Sequence, residues 1–421
     1  MTPDFVPVAA GRSDGLLVVT VDRLPAWMLP AYGATWVATP AIDSLAARGV
    51  VLDRLITPDT EPAAVLRDLA ATAESQGPTL GGAAAARGWK PALVTDDPAV
   101  AAWFTAALDA DVTLVASSSA VAAEAAADEE TSLARLAAAA VDVIRSGGHR
   151  LVWCHVASLG VVWDAPRRHR DRYVDPADPP PPAGAGVPSF PVDAGTDPDT
   201  LVGVRQVFAG QLSLLDAEIG RLFAAVRAKT TEAGAWAVLF AGVRGMPLGL
   251  HGWVGEAGPE AAYGELVHVP AILVDASGRM AAQRYSGLVV PADLGSTLAE
   301  FVGGGGSRCT EPNPVAPWRG MSLAGLFEDW SAPRRDRVVI GGPQAAVVTP
   351  SWHGLLTRDD RAAEGSMLVR LFAKPDDFFE LTDVADRCPA VAERLAGLLA
   401  RAAAGERLAA WRGPLPEAGP E

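Results

Sequence analysis

The sequence predicts an α/β protein: a large, mainly parallel sheet flanked by helices on both faces, with a small α+β subdomain at the C-terminal end. Three observations carry this expectation. Apolar runs of strand length alternate with Ala-rich stretches long enough for helices, as parallel strands joined by crossover helices require. Hydrophobic residues make up 49% of the 421, enough to bury a large core. The alternation breaks at Gly303–Gly306, and short β-rich runs and one amphipathic helix come after it.

In chain order, the first strand is expected at Leu16–Val21, followed by a helix at Pro40–Arg48. A second helix, Ala63–Ser75, opens directly after Pro62, a residue suited to a first helical turn. Strands at Pro91–Thr95 and Asp111–Val115 precede a helix at Glu129–Arg145 and a strand at Arg150–His155. Asp175–Thr200 is dense in Pro, Gly and Asp without periodicity, so it predicts a long surface loop. A helix at Gln206–Ala228 and strands at Ala235–Ala241 and Pro270–Val274 complete the large sheet. Val338–Thr349 holds further strands, and Pro389–Ala404 is a closing helix with Val391, Leu395, Leu398 and Leu399 on one face. The expected organisation is a main domain over 1–335, a small subdomain over 336–412 and a disordered tail over 413–421.

A formal net charge of −15 argues against a general nucleic-acid binder, because phosphate neutralisation needs a clustered basic surface. The Arg-rich run Ala165–Tyr173 reads as a solvated loop in preference to a contact patch. Cys154, Cys309 and Cys388 are widely spaced, which predicts reduced thiols and neither a disulfide framework nor a zinc motif. No leader or membrane-spanning run is evident, so a cytoplasmic protein with no membrane partner is expected. The oligomeric state stays open.

Several segments share one resemblance. The run Leu16–Asp22, LLVVTVD, is followed by Tyr32-Gly33 and by Thr39–Val50, TPAIDSLAARGV. Ala83–Asp97, Phe208–Leu222 (FAGQLSLLDAEIGRL), Gly249–Trp253 (GLHGW) and Tyr263–Leu273 (YGELVHVPAIL) come next. Gly320–Phe327, Thr349–Leu356 and Phe378–Leu395 complete the series. In this order they resemble the arylsulfatase-like branch of the alkaline phosphatase superfamily, almost from end to end. The resemblance implies a sulfatase-like sandwich.

It also implies a divalent cation, usually calcium, held by paired aspartates after the first strand and by an Asp-Asn or Asp-His pair after a later one. A Cys or Ser in a Cys/Ser-x-Pro-x-Arg pattern would supply the nucleophile, and Lys, Arg and His would hold the sulfate oxygens. The chain departs from this pattern position by position. Asp22 and Arg23 stand where the aspartate pair belongs, and Val243 and Arg244 where the later pair belongs. Thr60, Pro62 and Ala64 match the nucleophile segment with a threonine in place of Cys or Ser and no arginine. Ser158 and Gly160 replace an expected aspartate and histidine; His251 is retained, and Glu256 stands where a lysine belongs.

Two readings result. In the first the chain is a pseudoenzyme without metal or other cofactor, retained for binding or scaffolding. Arg23, Arg244 and the Thr60 hydroxyl then either receive a small oxyanion or fill the old cavity by pairing with Asp22 and Asp59. Thr60 and His251 are in that case only positional equivalents of catalytic groups. In the second, a metal-dependent sulfate or phosphate ester hydrolase works with rearranged ligands such as Asp22, Asp59, Asp164 and His251.

Overall fold

The computed structural model describes residues 13–70, 79–117, 123–256, 261–303, 320–327, 335–358 and 367–406. In chain order the elements begin with β1 (Gly15–Val21), α1 (Pro40–Ala46), β2 (Val50–Ile56), α2 (Pro62–Leu69), α3 (Leu80–Ala86), β3 (Pro91–Thr95), α4 (Pro98–Leu108) and β4 (Asp111–Leu114). Next come α5 (Ser132–Ser146), β5 (Leu151–Val156), α6 (Arg167–Asp171), β6 (Phe190–Pro191), α7 (Pro198–Ala233), β7 (Trp236–Gly242) and β8 (Trp253–Val254). Then α8 (Gly264–Val267), β9 (His268–Val269), β10 (Ala271–Val274), β11 (Gln283–Val289) and α9 (Pro291–Gly303) lead to β12 (Val338–Ile340), β13 (Ala346–Val348), β14 (Trp352–Arg358), β15 (Met367–Ala373) and α10 (Pro389–Ala403).

The large sheet has nine strands among the described residues, ordered β11-β2-β10-β7-β1-β5-β3-β4 with β9 beside β2. It is mostly parallel; β9 and β10 are the antiparallel members. Its central strands β1, β5 and β7 are buried along their whole length, which explains why they read as unbroken apolar runs without alternation. Alternate residues of β1 face two different cores: Leu17, Val19 and Val21 pack on the α5 and α7 side, Leu16 and Val18 on the side of α2, α3 and α9. The antiparallel sheet β12-β13-β14-β15 packs its other face on α10 through Val347, Trp352, Leu371, Leu395 and Leu399.

The expected strands agree with the structure to within a residue or so at their ends. The expected loop over 175–200 needs correction: its last residues open α7, where Asp197 caps the Asp199 amide ahead of Pro198, and Phe190–Pro191 pair with β8. The Arg-rich run is no solvated loop either. It contains α6, in which the fully buried Arg170 donates to Glu124 at 3.1 Å and to the Gly184 carbonyl at 2.8 Å. Helix α2 is described only to Leu69 and α9 to Gly303; residues 71–78, Gly304–Gly306, Cys309 and the tail 413–421 lie outside the described residues. Cys154 and Cys388 are free thiols.

Candidate functional site

Parallel strands end in register, and this alone sets the centre of the site. Val21 pairs with Gly242 across β1 and β7, so the residues that come after each strand emerge side by side. Backbone bonds extend the pairing past the strand ends: Val243 N donates to Val21 O at 2.9 Å, and Leu24 N to Arg244 O at 2.9 Å. Asp22 and Arg244 thereby meet at the carboxyl edge of the sheet, where open α/β folds place their ligands.

Arg244 grips Asp22 as a fork. Its Nε donates to Oδ1 at 2.9 Å and its Nη2 to Oδ2 at 3.1 Å, the two-pronged geometry that makes arginine–carboxylate pairs strong. Nη1 of the same guanidinium donates to the backbone carbonyl of Thr60 at 3.3 Å, tying the turn before α2 to the strand ends. Arg23 has a left-handed backbone, φ 63°, and its side chain is almost wholly buried. Its Nε lies 3.9 Å from Asp22 Oδ2, and its Nη2 donates to Glu256 Oε1. Arg244 Nη2 reaches that same Glu256 oxygen at 3.1 Å.

The result is a quartet of two carboxylates and two guanidiniums whose formal charges cancel. Burial lowers the Arg23 guanidinium from its ordinary value, and the neighbouring Arg244 adds to that push against Asp22 and Glu256. For Arg244 burial works the same way, but Asp22 and Glu256 prevail and hold it above the ordinary value.

Gly160 makes room for this arrangement. A Cβ there would come to 3.1 Å from Arg23 Cγ, so the missing side chain and the extra guanidinium are complementary. Beneath the quartet runs a polar relay that sequence patterns do not show. Trp153 Nε1 donates to Thr20 Oγ1 at 2.9 Å, and Thr20 Oγ1 lies 3.0 Å from His155 Nδ1. Burial lowers the His155 pKa despite Asp22 and Asp96 nearby, which favours the neutral ring, and among the described residues its Nε2 has no hydrogen-bond partner.

No protein-family model and no curated protein matches the chain. Solved structures do match over nearly its whole length. The phosphonate monoester hydrolase of Agrobacterium radiobacter superposes with a TM-score of 0.65 at 16% identity, over 93% of this chain and 96% of its own. That of Silicibacter pomeroyi gives 0.66 at 16% identity over 92% and 94%, and a 2-O GAG sulfatase 0.64 at 15% identity over 94% and 93%. The chain has the sulfatase fold.

Within that sulfatase fold, the residues singled out in the sequence fall in different places. Asp22, Arg23 and Arg244 come together, with Thr60 contributing its backbone carbonyl. The partner of the arginines is Glu256 and not Asp59, which accepts from the Glu61 amide at 2.8 Å and orders the turn before α2. Asp164 accepts from Ser132 N at 2.8 Å at the start of α5. His251 belongs to another cluster: it stacks on Tyr263 at 3.8 Å, its Nδ1 faces Glu265 Oε1 at 2.9 Å, and its Nε2 faces the Phe379 and Glu380 carbonyls at 3.1 and 3.3 Å. Carbonyls only accept, so Nε2 donates, and the carboxylate at Nδ1 favours the imidazolium form. Burial opposes that charge, yet the hydrogen bond and charge of Glu265 raise the His251 pKa.

Glu256 was legible in the sequence only as a charge reversal at a lysine position. It follows β8, which folds back on the segment after β7 through the Leu248–Val254 bridge and the Gly255 N to Pro247 O bond at 3.0 Å and pairs with β6 on its other side.

Proposed function

We propose that this sulfatase-fold chain no longer hydrolyses esters and that its centre serves as a metal-independent site for binding. The observation that carries the reading is the fork of Arg244 on Asp22. A divalent cation held by hard oxygens needs several carboxylate or carbonyl donors converging on one point. Here Asp22 alone remains of the expected ligand aspartates, both of its oxygens accept from a guanidinium, Val243 offers no donor atom, and the second carboxylate, Glu256, is itself taken up by both arginines. These residues do not fit a cation; they supply the positive charge themselves. Among the described residues no group of three or more His, Cys, Asp or Glu is arranged to hold a metal.

The nucleophile position supports the same reading. Arg244 fixes the turn at Thr60 through its backbone carbonyl, and His251 is committed to another cluster, its Nε2 donating to the Phe379 and Glu380 carbonyls and its Nδ1 facing Glu265, so it stands as no base for Thr60. A cytoplasmic setting is part of the proposal, supported by the free thiols of Cys154 and Cys388. The sulfatase and phosphonate monoester hydrolase names of the superposing structures favour a second reading, a hydrolase with rearranged ligands.

One assay separates the two. Purified protein is incubated with an aryl sulfate, an aryl phosphate diester and a phenyl phosphonate monoester, with added calcium and with chelator. The proposal expects no turnover in any condition. Turnover that disappears with chelator and in Asp22→Ala establishes the hydrolase instead.

A further inference from the structure

Glu256 occupies an unusual station in the quartet. The Arg23, Asp22 and Arg244 side chains are 4%, 7% and 16% exposed, whereas that of Glu256 is 56% exposed. One of its oxygens, Oε1, takes a hydrogen bond from each guanidinium, so the carboxylate closes the cluster from the solvent side. Its position is built. Gly255 has φ +87°, and a Cβ there would strike the Pro188 carbonyl at 2.1 Å, so the chain at this point accepts only glycine and fixes where the next side chain starts. Beneath the cap, Arg23 Nε is buried and has no hydrogen-bond partner among the described residues.

Moving the cap changes the charge of the cluster. With Glu256 in place the quartet is neutral; with Glu256 turned into solvent, two guanidiniums face one carboxylate, and one positive charge with two convergent Nη2 donors opens to solvent. We infer that Glu256 is a built-in competitor: an intramolecular carboxylate seated where an external oxyanion group, a sulfate or phosphate, binds between Arg23 and Arg244 by displacing it. This rests on the metal-free reading of the centre. Such a cap lowers apparent affinity by the fraction of molecules in which it is open, so removing it returns that factor to the ligand. It also selects against weak anions, because a ligand has to outcompete a tethered carboxylate.

The test is calorimetric titration of the full chain with sodium sulfate and, separately, sodium phosphate, with sodium chloride matching ionic strength. Glu256→Gln, which keeps the size of the side chain and removes its charge, is expected to bind one or both anions about tenfold or more tightly than the parent chain. In Glu256→Ala, acetate is expected to raise the melting temperature by refilling the vacated place, and Arg23→Met combined with Glu256→Gln to abolish the gain. The relative strength of the sulfate and phosphate responses tells which oxyanion fits. Folded Glu256 variants with no gain for either anion overturn the inference, and so does a Glu256→Gln chain that fails to fold, because a displaceable cap is not required for folding. Turnover and metal content of the parent chain report on the metal-free reading independently: a metal-loaded, active parent defeats that reading, whereas an inactive, metal-free parent with unresponsive variants defeats only the cap.

Discussion

The Asp22 quartet and the Glu380 cluster use similar chemistry, a carboxylate shared by two basic side chains, at different degrees of burial. Glu380 is 3% exposed; it lies 2.5 Å from His353 Nδ1, accepts from Lys374 Nζ at 2.8 Å and from Gly264 N at 2.7 Å. Burial pushes its pKa up, but His353 and Lys374 overcome this and hold the carboxyl well below the usual glutamate range. Those contacts join the antiparallel sheet to α8 at the edge of the large sheet, so the cluster is a fixed joint. In the quartet, by contrast, the second carboxylate stands in water. Similar ion pairing gives rigidity where every partner is buried and an adjustable contact where one is not.

The comparison is broken most directly at Glu380. Removing it as Glu380→Ala leaves His353 Nδ1 and the Gly264 amide without their acceptor and Lys374 without its counter-charge, and should cost about 3–5 kcal/mol in denaturant unfolding. A loss under about 1 kcal/mol would place the joint elsewhere. Asp22→Ala should cost less, about 2–3 kcal/mol, because Glu256 still compensates the two arginines, and the loss should be the same with calcium and with chelator.

Protonation sharpens the contrast in opposite directions. Glu380 has a depressed folded pKa, so its contribution is present above the ordinary glutamate value of 4.5 and is lost as the pH falls toward the folded one. His251 has a raised folded pKa, so its contribution is complete below 6.5 and is lost as the pH rises through the folded value. Melting temperature measured across pH should fall at both ends; Glu380→Gln should flatten the acid limb and His251→Gln the neutral-to-alkaline one. Parallel curves for all three proteins would contradict these assignments.

Smaller effects test the quartet itself. Gly160→Ala should cost about 1 kcal/mol, as the new methyl displaces the Arg23 stem by a few tenths of an ångström. Glu256→Gln should change stability by less than about 1 kcal/mol, since more than half of that side chain is exposed and its ion pairs are screened.

Much of the fold was legible because the central strands are buried on both faces and therefore read as continuous apolar runs, as in Leu16–Val21 and Pro91–Thr95. β2 was not read: Asp53 and Arg54 interrupt its run, and they do so because they reach the sheet surface, where Asp53 pairs with Arg284. The start of α7 was hidden because its cap, Asp197-Pro198, has the composition of the loop before it. At the site, Asp22, Arg23 and Arg244 were identifiable by their positions after two strands, but their partner was not. Glu256 lies 233 residues from Arg23, and the local turn that pairs Leu248 with Val254, together with the β6–β8 pairing, brings it there. The role of His251 was equally invisible, since its acceptors are backbone carbonyls 128 and 129 residues away.

The central claim is that a guanidinium, and no metal ion, neutralises Asp22. Elemental mass spectrometry of the purified protein, with melting in calcium and in chelator measured on the same sample, tests it most directly. The account predicts substoichiometric metal and a melting temperature that neither addition moves. One equivalent of calcium, with a melting temperature that falls in chelator, would contradict it.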